Sequence, residues 1–300
     1  MGIYVISSRP ERGGAANKWS VLYSPNGTAP AATPVQPNYL PSALVNSIVD
    51  PLVIVVHGYN NREQDVFSAY AGLAGLVQGK ESLPKYGFTG TIIGFDWPSG
   101  YLNVLDPSAQ LRLYGSDLAA AYGNGAPCFG LFLNRLTTAL IGKNIRVNLL
   151  AHSMGNFVAT RALMDDPSVA SRITNFISFA PDILQSDVDL PQLQSCVDNM
   201  AGKWCVNWAQ ADMILMTASN WANMFLGTER YHGDRLGQVG LRPNVDYGDK
   251  ITAQECDQML SDVGATSFDQ TLGEWRSSTE VHCAYWRCPE FMKSVAAAVK

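Results

Sequence analysis

Hydrophobic positions along this chain fall into short runs separated by amphipathic stretches of helical length. "LVIVV" at 52–56 is apolar at five successive positions, the pattern of a strand buried on both faces. "FTGTIIGFDW" (88–97), "IRVNLLA" (145–151), "ITNFISFA" (173–180) and "DMILMTAS" (212–219) read as further strands. Between them "EQDVFSAYAGLAGLVQ", "SAQLRLYGSDLAAAYG", "CFGLFLNRLTTALIG" and "NFVATRALMDD" have helical length, with Ser108 placed to cap the second. Strands joined by helix-length segments need crossover connections. The pattern therefore predicts a doubly wound α/β domain over residues 1–300, with a mostly parallel sheet covered on both faces.

Three stretches fall outside that rhythm. Residues 1–50 form an N-terminal extension that opens strand-like with "MGIYVISS" and then turns rich in proline and small residues over 25–43. Residues 183–211 carry Trp204, Trp208, Cys196 and Cys205 and are expected to form a small cap insertion. Residues 226–280 are polar and glycine-containing and are expected as an irregular insertion.

Composition narrows the partners. At 47% hydrophobic and 16% charged the chain can bury a large core and is not of the disordered class. A net charge of −5 with no basic cluster argues against nucleic acid. No apolar run approaches the roughly 20 residues that span a bilayer, so no transmembrane segment is expected. The N-terminus lacks the charged leader and cleavage site of a signal peptide, and Ile6 stands where a myristoylation motif wants Ser or Thr. A cytoplasmic location is the default expectation, with a secreted mature form left open. Six cysteines form no CxxC pair and no metal-like spacing; Cys196 with Cys205 and Cys283 with Cys288 could cross-link, or all could be buried thiols. No HExxH, GxGxxG or Walker sequence is present, and no metal or cofactor is expected. Oligomeric state is not set by the sequence.

Chemistry gathers at the carboxyl ends of the expected strands, where parallel sheets bind ligands. "LLAHSMGN" (149–156) runs a strand into small-x-Ser-x-Gly and then a helix, a sharp turn that projects the Ser153 hydroxyl from the sheet. "VVHGYNN" (55–61) ends another strand in His-Gly, where Gly58 allows close approach. The backbone N–H of Tyr59 can there join that of Met154 as an oxyanion hole. His57, Gly58 and His152 flank the site as expected substrate contacts. Of the histidines 57, 152, 232 and 282, the order nucleophile–acid–base favours His282, late in the chain before a terminal helix. Asp182, just past the strand after the nucleophile helix, is placed first as the acid; Asp187, Asp189 and Asp96 are its rivals. With these roles Ser153 attacks a carbonyl, His282 takes its proton, and the acyl-enzyme is hydrolysed by water.

As a set, "VIVVHGYNN", "GFDWPSG", "LLAHSMGN", "SFAPDI" and "HCAYWRCPEF" resemble the α/β-hydrolase superfamily. The similarity is to a bacterial family of largely uncharacterised, lipase-like serine hydrolases and covers roughly residues 50–295. The resemblance implies the α/β-hydrolase fold, Ser153 as nucleophile, His282 as base and the two strand-exit loops as oxyanion hole. The chain departs from the pattern after "TAS", where Asn220, Trp221 and Ala222 stand in place of an acidic residue. The implied partner is a small-molecule acyl ester. A catalytically silent binding protein and an amidase or thioesterase on the same triad are the alternatives.

Overall fold

A computed structural model describes residues 2–12, 17–29, 37–101, 107–212, 214–216, 233–263 and 278–300. Eight strands form one sheet in the order β2-β1-β4-β3-β5-β6-β7-β8. They are β1 (Ile3–Ser7), β2 (Ser20–Ser24), β3 (Leu52–Val56), β4 (Thr91–Asp96), β5 (Val147–His152), β6 (Ile173–Phe179), β7 (Trp204–Trp208) and β8 (Ile251–Glu255). Only β2 runs against its neighbour; every other pairing is parallel. This is the doubly wound, mostly parallel sheet that the strand–helix alternation predicts, and the resemblance implies its α/β-hydrolase type.

The all-apolar run of β3 is explained by two cores, one on each face. Leu52, Ile54 and Val56 pack into one cluster, while Val53 and Val55 enter the other. The first face is covered by helices Ala126–Ala139, Gly155–Asp165 and Pro191–Asn199, through Phe132, Leu136, Val158, Leu163 and Val197. The second is covered by helices Glu63–Leu73 and Pro289–Ala298, through Phe67, Leu73, Phe291 and Val295. At about 25 cal/mol per Å² of apolar surface, burial on both faces is the main term holding β3 and β5 central.

Three regions differ from the sequence expectation. Residues 183–211 are not a separate cap. They supply a 3₁₀ turn, the crossover helix Pro191–Asn199 and the interior strand β7. Trp204 lies fully buried, stacked on Phe176 at 5.4 Å with its Nε1–H donated to Ser178 Oγ, so the sheet rather than a lid uses the tryptophan. Residues 214–216 of the expected strand "DMILMTAS" are helical, and 213 and 217–219 lie outside the described residues. Within 226–280, Ile251–Glu255 adds the edge strand β8, exposed at four of its five positions. The N-terminal extension contributes β1, which lies parallel to β4, one strand in from the edge of the sheet. All six cysteines are free thiols.

Candidate active site

β5 is buried at all six positions and ends at His152. Ser153 then turns the chain with φ 51°, and helix Gly155–Asp165 starts two residues later. The left-handed region costs a residue with a Cβ roughly 1–2 kcal/mol. Local bonds hold the turn against that strain. Ser153 N–H donates to Phe179 O, and the Ser153 carbonyl accepts from the backbone N–H groups of Asn156 and Asp182. The buried Asn156 amide also donates to the carbonyls of Ala151 and Ser153, at 3.0 and 3.1 Å. Gly155 is required sterically, since a Cβ there would lie 2.5 Å from the His57 carbonyl oxygen. Its absence lets the helix begin against the exit of β3.

Ser153 is only 1% exposed, yet it lines a cavity of about 250 Å³. Its Oγ has no hydrogen-bond partner among the described residues. A buried, unpaired hydroxyl costs about 1–3 kcal/mol, a second penalty at the strained position. His57, Gly58, Tyr59, His152 and His282 share the cavity, and Val66, Ala69, Tyr70, Ile214 and Trp286 form its apolar wall. Size does not single it out: a hollow of about 400 Å³ beside Asp257 and Ser261 brings no histidine to a hydroxyl.

His282 arrives from helix Ser278–Ala284. Its Nδ1–H donates to Asp212 Oδ2 at 2.7 Å, with the Asp212 side chain 0% exposed. Burial opposes charge on the ring, but the Asp212 carboxylate outweighs it and raises the His282 pKa above the ordinary imidazole value. His152 shows the opposite balance. Burial, reinforced by His282, lowers its pKa well below that value, so it is neutral. Its Nε2–H donates to the His282 backbone carbonyl at 2.9 Å. The rings of His152 and His282 lie 4.8 Å apart, and Phe179 stacks on the former.

The His57-Gly58-Tyr59 loop closes the cavity from β3. A Cβ on Gly58 would stand 3.0 Å from Ser153 Cβ and 3.5 Å from its Oγ, so the loop backbone lies directly over the hydroxyl. Among the described residues neither the Tyr59 nor the Met154 backbone N–H has an acceptor. Met154 is fully buried at the start of the helix. Burial, with Asp182 adding to it, raises the Tyr59 phenol, which therefore stays protonated.

Asp182 corrects the sequence reading. Its carboxylate does not meet His282. Tyr114 OH donates to Oδ2 at 2.7 Å, and Arg235 Nε lies 3.5 Å from Oδ1. Its backbone N–H, not its side chain, reaches the serine turn. The rivals are elsewhere too: Asp187 accepts from the Leu184 amide, and Asp189 from Tyr247 and Arg242. Asp212, which sequence reasoning passed over, sits four residues beyond β7. His57 and His152 line the cavity as expected, but each spends ring nitrogens on protein groups. His232 lies outside the described residues. Among those residues no three His, Cys, Asp or Glu side chains gather to hold a metal, and no helix is long and apolar enough to cross a membrane.

No curated protein matches the sequence. Among solved structures the chain is similar to TT1662 from Thermus thermophilus, at 13% identity, with 84% of this chain and 88% of that one covered and a TM-score of 0.43. It is similar also to Aspergillus fumigatus lipase B, at 10% identity over 86% and 56% of the two chains, TM-score 0.40. Carboxylesterase CesB (YbfK) from Bacillus subtilis gives 8% identity over 100% and 90%, TM-score 0.36. Residues 37–227 match a family described as α/β hydrolase of unknown function (DUF900), and the chain belongs to that family.

Proposed function

We propose that this α/β hydrolase cleaves carboxylic esters through an acyl-enzyme, with Ser153 as nucleophile, His282 as general base and Asp212 as the group that orients it. The observation that carries the reading is the doubly penalised Ser153. Its backbone is strained at φ 51° and its buried hydroxyl is unpaired, in the same cavity as an imidazole whose far nitrogen is held by a buried carboxylate. Strain and unpaired groups of this kind cluster where a fold maintains a reactive geometry.

Chemically, Ser153 Oγ adds to the ester carbonyl while its proton passes to His282 Nε2. The imidazolium is stabilised by Asp212 on Nδ1. The carbonyl oxygen becomes an oxyanion facing the Tyr59 and Met154 N–H groups. Collapse expels the alcohol, which takes the proton from His282; water then repeats the sequence to release the acid. The apolar wall of Val66, Ala69, Tyr70, Ile214 and Trp286 suits an acyl or aromatic group rather than a sugar or phosphate.

p-Nitrophenyl esters of graded chain length and a fluorophosphonate probe test the reading. Turnover and covalent labelling, both abolished in Ser153→Ala, are expected. A folded wild-type protein that neither turns over any ester nor takes the label on Ser153 overturns it.

A further inference from the structure

The peptide between Gly58 and Tyr59 is the backbone unit proposed to offer an N–H to the oxyanion, and its orientation is held by an unusual density of bonds. In a trans peptide the C=O and the next N–H point in opposite directions, so whatever fixes the Gly58 carbonyl aims the Tyr59 N–H. Two donors fix it. His57 Nδ1–H donates to Gly58 O at 2.7 Å, and the Asn61 side-chain amide donates to the same oxygen at 3.1 Å and to Tyr59 O at 2.7 Å.

Both donors are held in turn by one buried guanidinium. Arg9 Nε–H meets both oxygens of the fully buried Asp96, at 2.8 and 2.9 Å. Asp96 Oδ1 lies 3.1 Å from His57 Nε2. The remaining arms of Arg9 donate to the carbonyls of Asn61 and Ser99, at 2.9 Å each. Ser7 Oγ–H, at the end of β1, adds a bond to Asp96 Oδ2. One side chain thus ties together the exit of β3, the exit of β4 and the loop following it. Arg9 and Ser7 precede residue 37, outside the segment that matches the family.

We propose that Arg9 is a positioning residue for the oxyanion hole, acting through Asp96 and His57 on one side and Asn61 on the other to set the Gly58–Tyr59 peptide. This inference rests on the ester-hydrolase reading above. A planar fork with donors in fixed directions can bridge a carboxylate and two carbonyls; an ammonium at the same place keeps the charge but not the three directions. N-terminal strand β1 therefore belongs to the catalytic apparatus as well as to the sheet.

The variants are Arg9→Lys, which preserves the charge beside Asp96, and Asn61→Ala, which removes the other pair of donors at a half-buried position. Arg9→Ala strands the buried Asp96 charge and is expected to compromise folding, so it is not the test. For both chosen variants kcat on p-nitrophenyl butyrate is expected to fall about 10- to 100-fold with KM within about twofold, the signature of an interaction made in the transition state. Alkyl trifluoromethyl ketones give the readout that a merely structural role would not move. Ser153 Oγ adds to the ketone carbon, the ketone oxygen becomes the anion, and the proton goes to His282. Ki for the ketone is expected to rise by the same factor that kcat/KM falls, while the acid limb of the pH profile, set by His282, stays in place. Folded variants whose kcat lies within twofold of wild type overturn the proposal, as does a fall in kcat with ketone affinity unchanged. A wild-type protein that neither hydrolyses esters nor captures the ketone strikes the hydrolase reading first, and this inference falls with it.

Discussion

His57 with Asp96 and His282 with Asp212 are both buried imidazole–carboxylate contacts at the carboxyl edge of the sheet, 3.1 and 2.7 Å across. What separates them is the other ring nitrogen and the other ligands of the acid. His57 spends Nδ1 on the Gly58 carbonyl, and Asp96 is shared with Arg9 and Ser7, so the group is saturated and serves as scaffold. His282 spends only Nδ1, on Asp212, and Nε2 has no partner among the described residues. The electrostatics follow the same division. Burial opposes charge on Asp96, but His57 and Arg9 outweigh it and hold that carboxyl below its ordinary range, a fixed ion pair. His282 has its pKa raised by Asp212, which among the described residues pairs with no Lys or Arg. The two short Asp–His contacts thus differ in the occupancy of the remaining nitrogen, and the proposed mechanism needs the one left open.

The comparison breaks first at His282. His282→Ala is expected to lower kcat by on the order of 10⁶-fold, with thermal unfolding still cooperative. Asp212→Asn follows at about 10⁴-fold, because the amide no longer holds the tautomer that leaves Nε2 able to accept a proton. Steady-state kinetics on one p-nitrophenyl ester check both. A loss under tenfold in Asp212→Asn sinks the assignment of that residue. Asp96→Asn has its larger effect elsewhere. It leaves Arg9 buried without its counter-charge, at a cost of about 3–5 kcal/mol, measurable by urea denaturation, while the chemical step falls by no more than about 100-fold. The two pairs are interchangeable in role only if these profiles of activity and stability trade places.

The pH dependence sharpens the difference. The proposed mechanism needs neutral His282, and its pKa is raised, so kcat/KM is expected to decline with acid through a midpoint above the ordinary histidine value near 6.5. Removing the carboxylate in Asp212→Asn leaves burial, which favours the neutral ring, and the residual activity should extend to lower pH. A midpoint that stays put in the variant would mean that another group sets it.

The turn at Ser153 and the His57-Gly58-Tyr59 loop are legible because each is local: strand, small residues and polar residue follow in one uninterrupted stretch. The position of His282 came from chain order alone. The carboxylate that meets His282 is illegible because the strand before it is. The apolar run "DMILMTAS" reads as a strand, whereas the observed one is "WCVNW", five residues with a buried asparagine among them. A short apolar run does not tell a strand from a helix by periodicity. The buried Asn207 pairs across the sheet with the Ser178 carbonyl, a contact no sequence pattern announces. Once β7 is set at Trp204–Trp208, Asp212 falls four residues beyond a strand end, where its carboxylate reaches His282. The Arg9 brace was illegible for a similar reason: it joins residues 87 and 52 positions apart, and no local signal marks it.

Asp182 supplies the smallest effect and the clearest control. It lies near the same edge of the sheet and is buried like Asp212, yet its carboxylate is occupied by Tyr114 and Arg235. Burial, with Asp182 adding to it, raises the Tyr114 phenol, which therefore remains a donor. Asp182→Asn keeps the backbone N–H that pins the Ser153 carbonyl, and keeps an oxygen for Tyr114, but removes the charge facing Arg235. The expected cost is about 1–3 kcal/mol of stability, with kcat reduced less than about tenfold. Its charge adds a minor contribution to the raised pKa of His282, so the acid limb should move slightly downward, in the same direction as in Asp212→Asn and by less. If instead Asp182→Asn loses activity on the scale of Asp212→Asn, with folding intact, the carboxylate that serves His282 in turnover is not the one that holds it at rest.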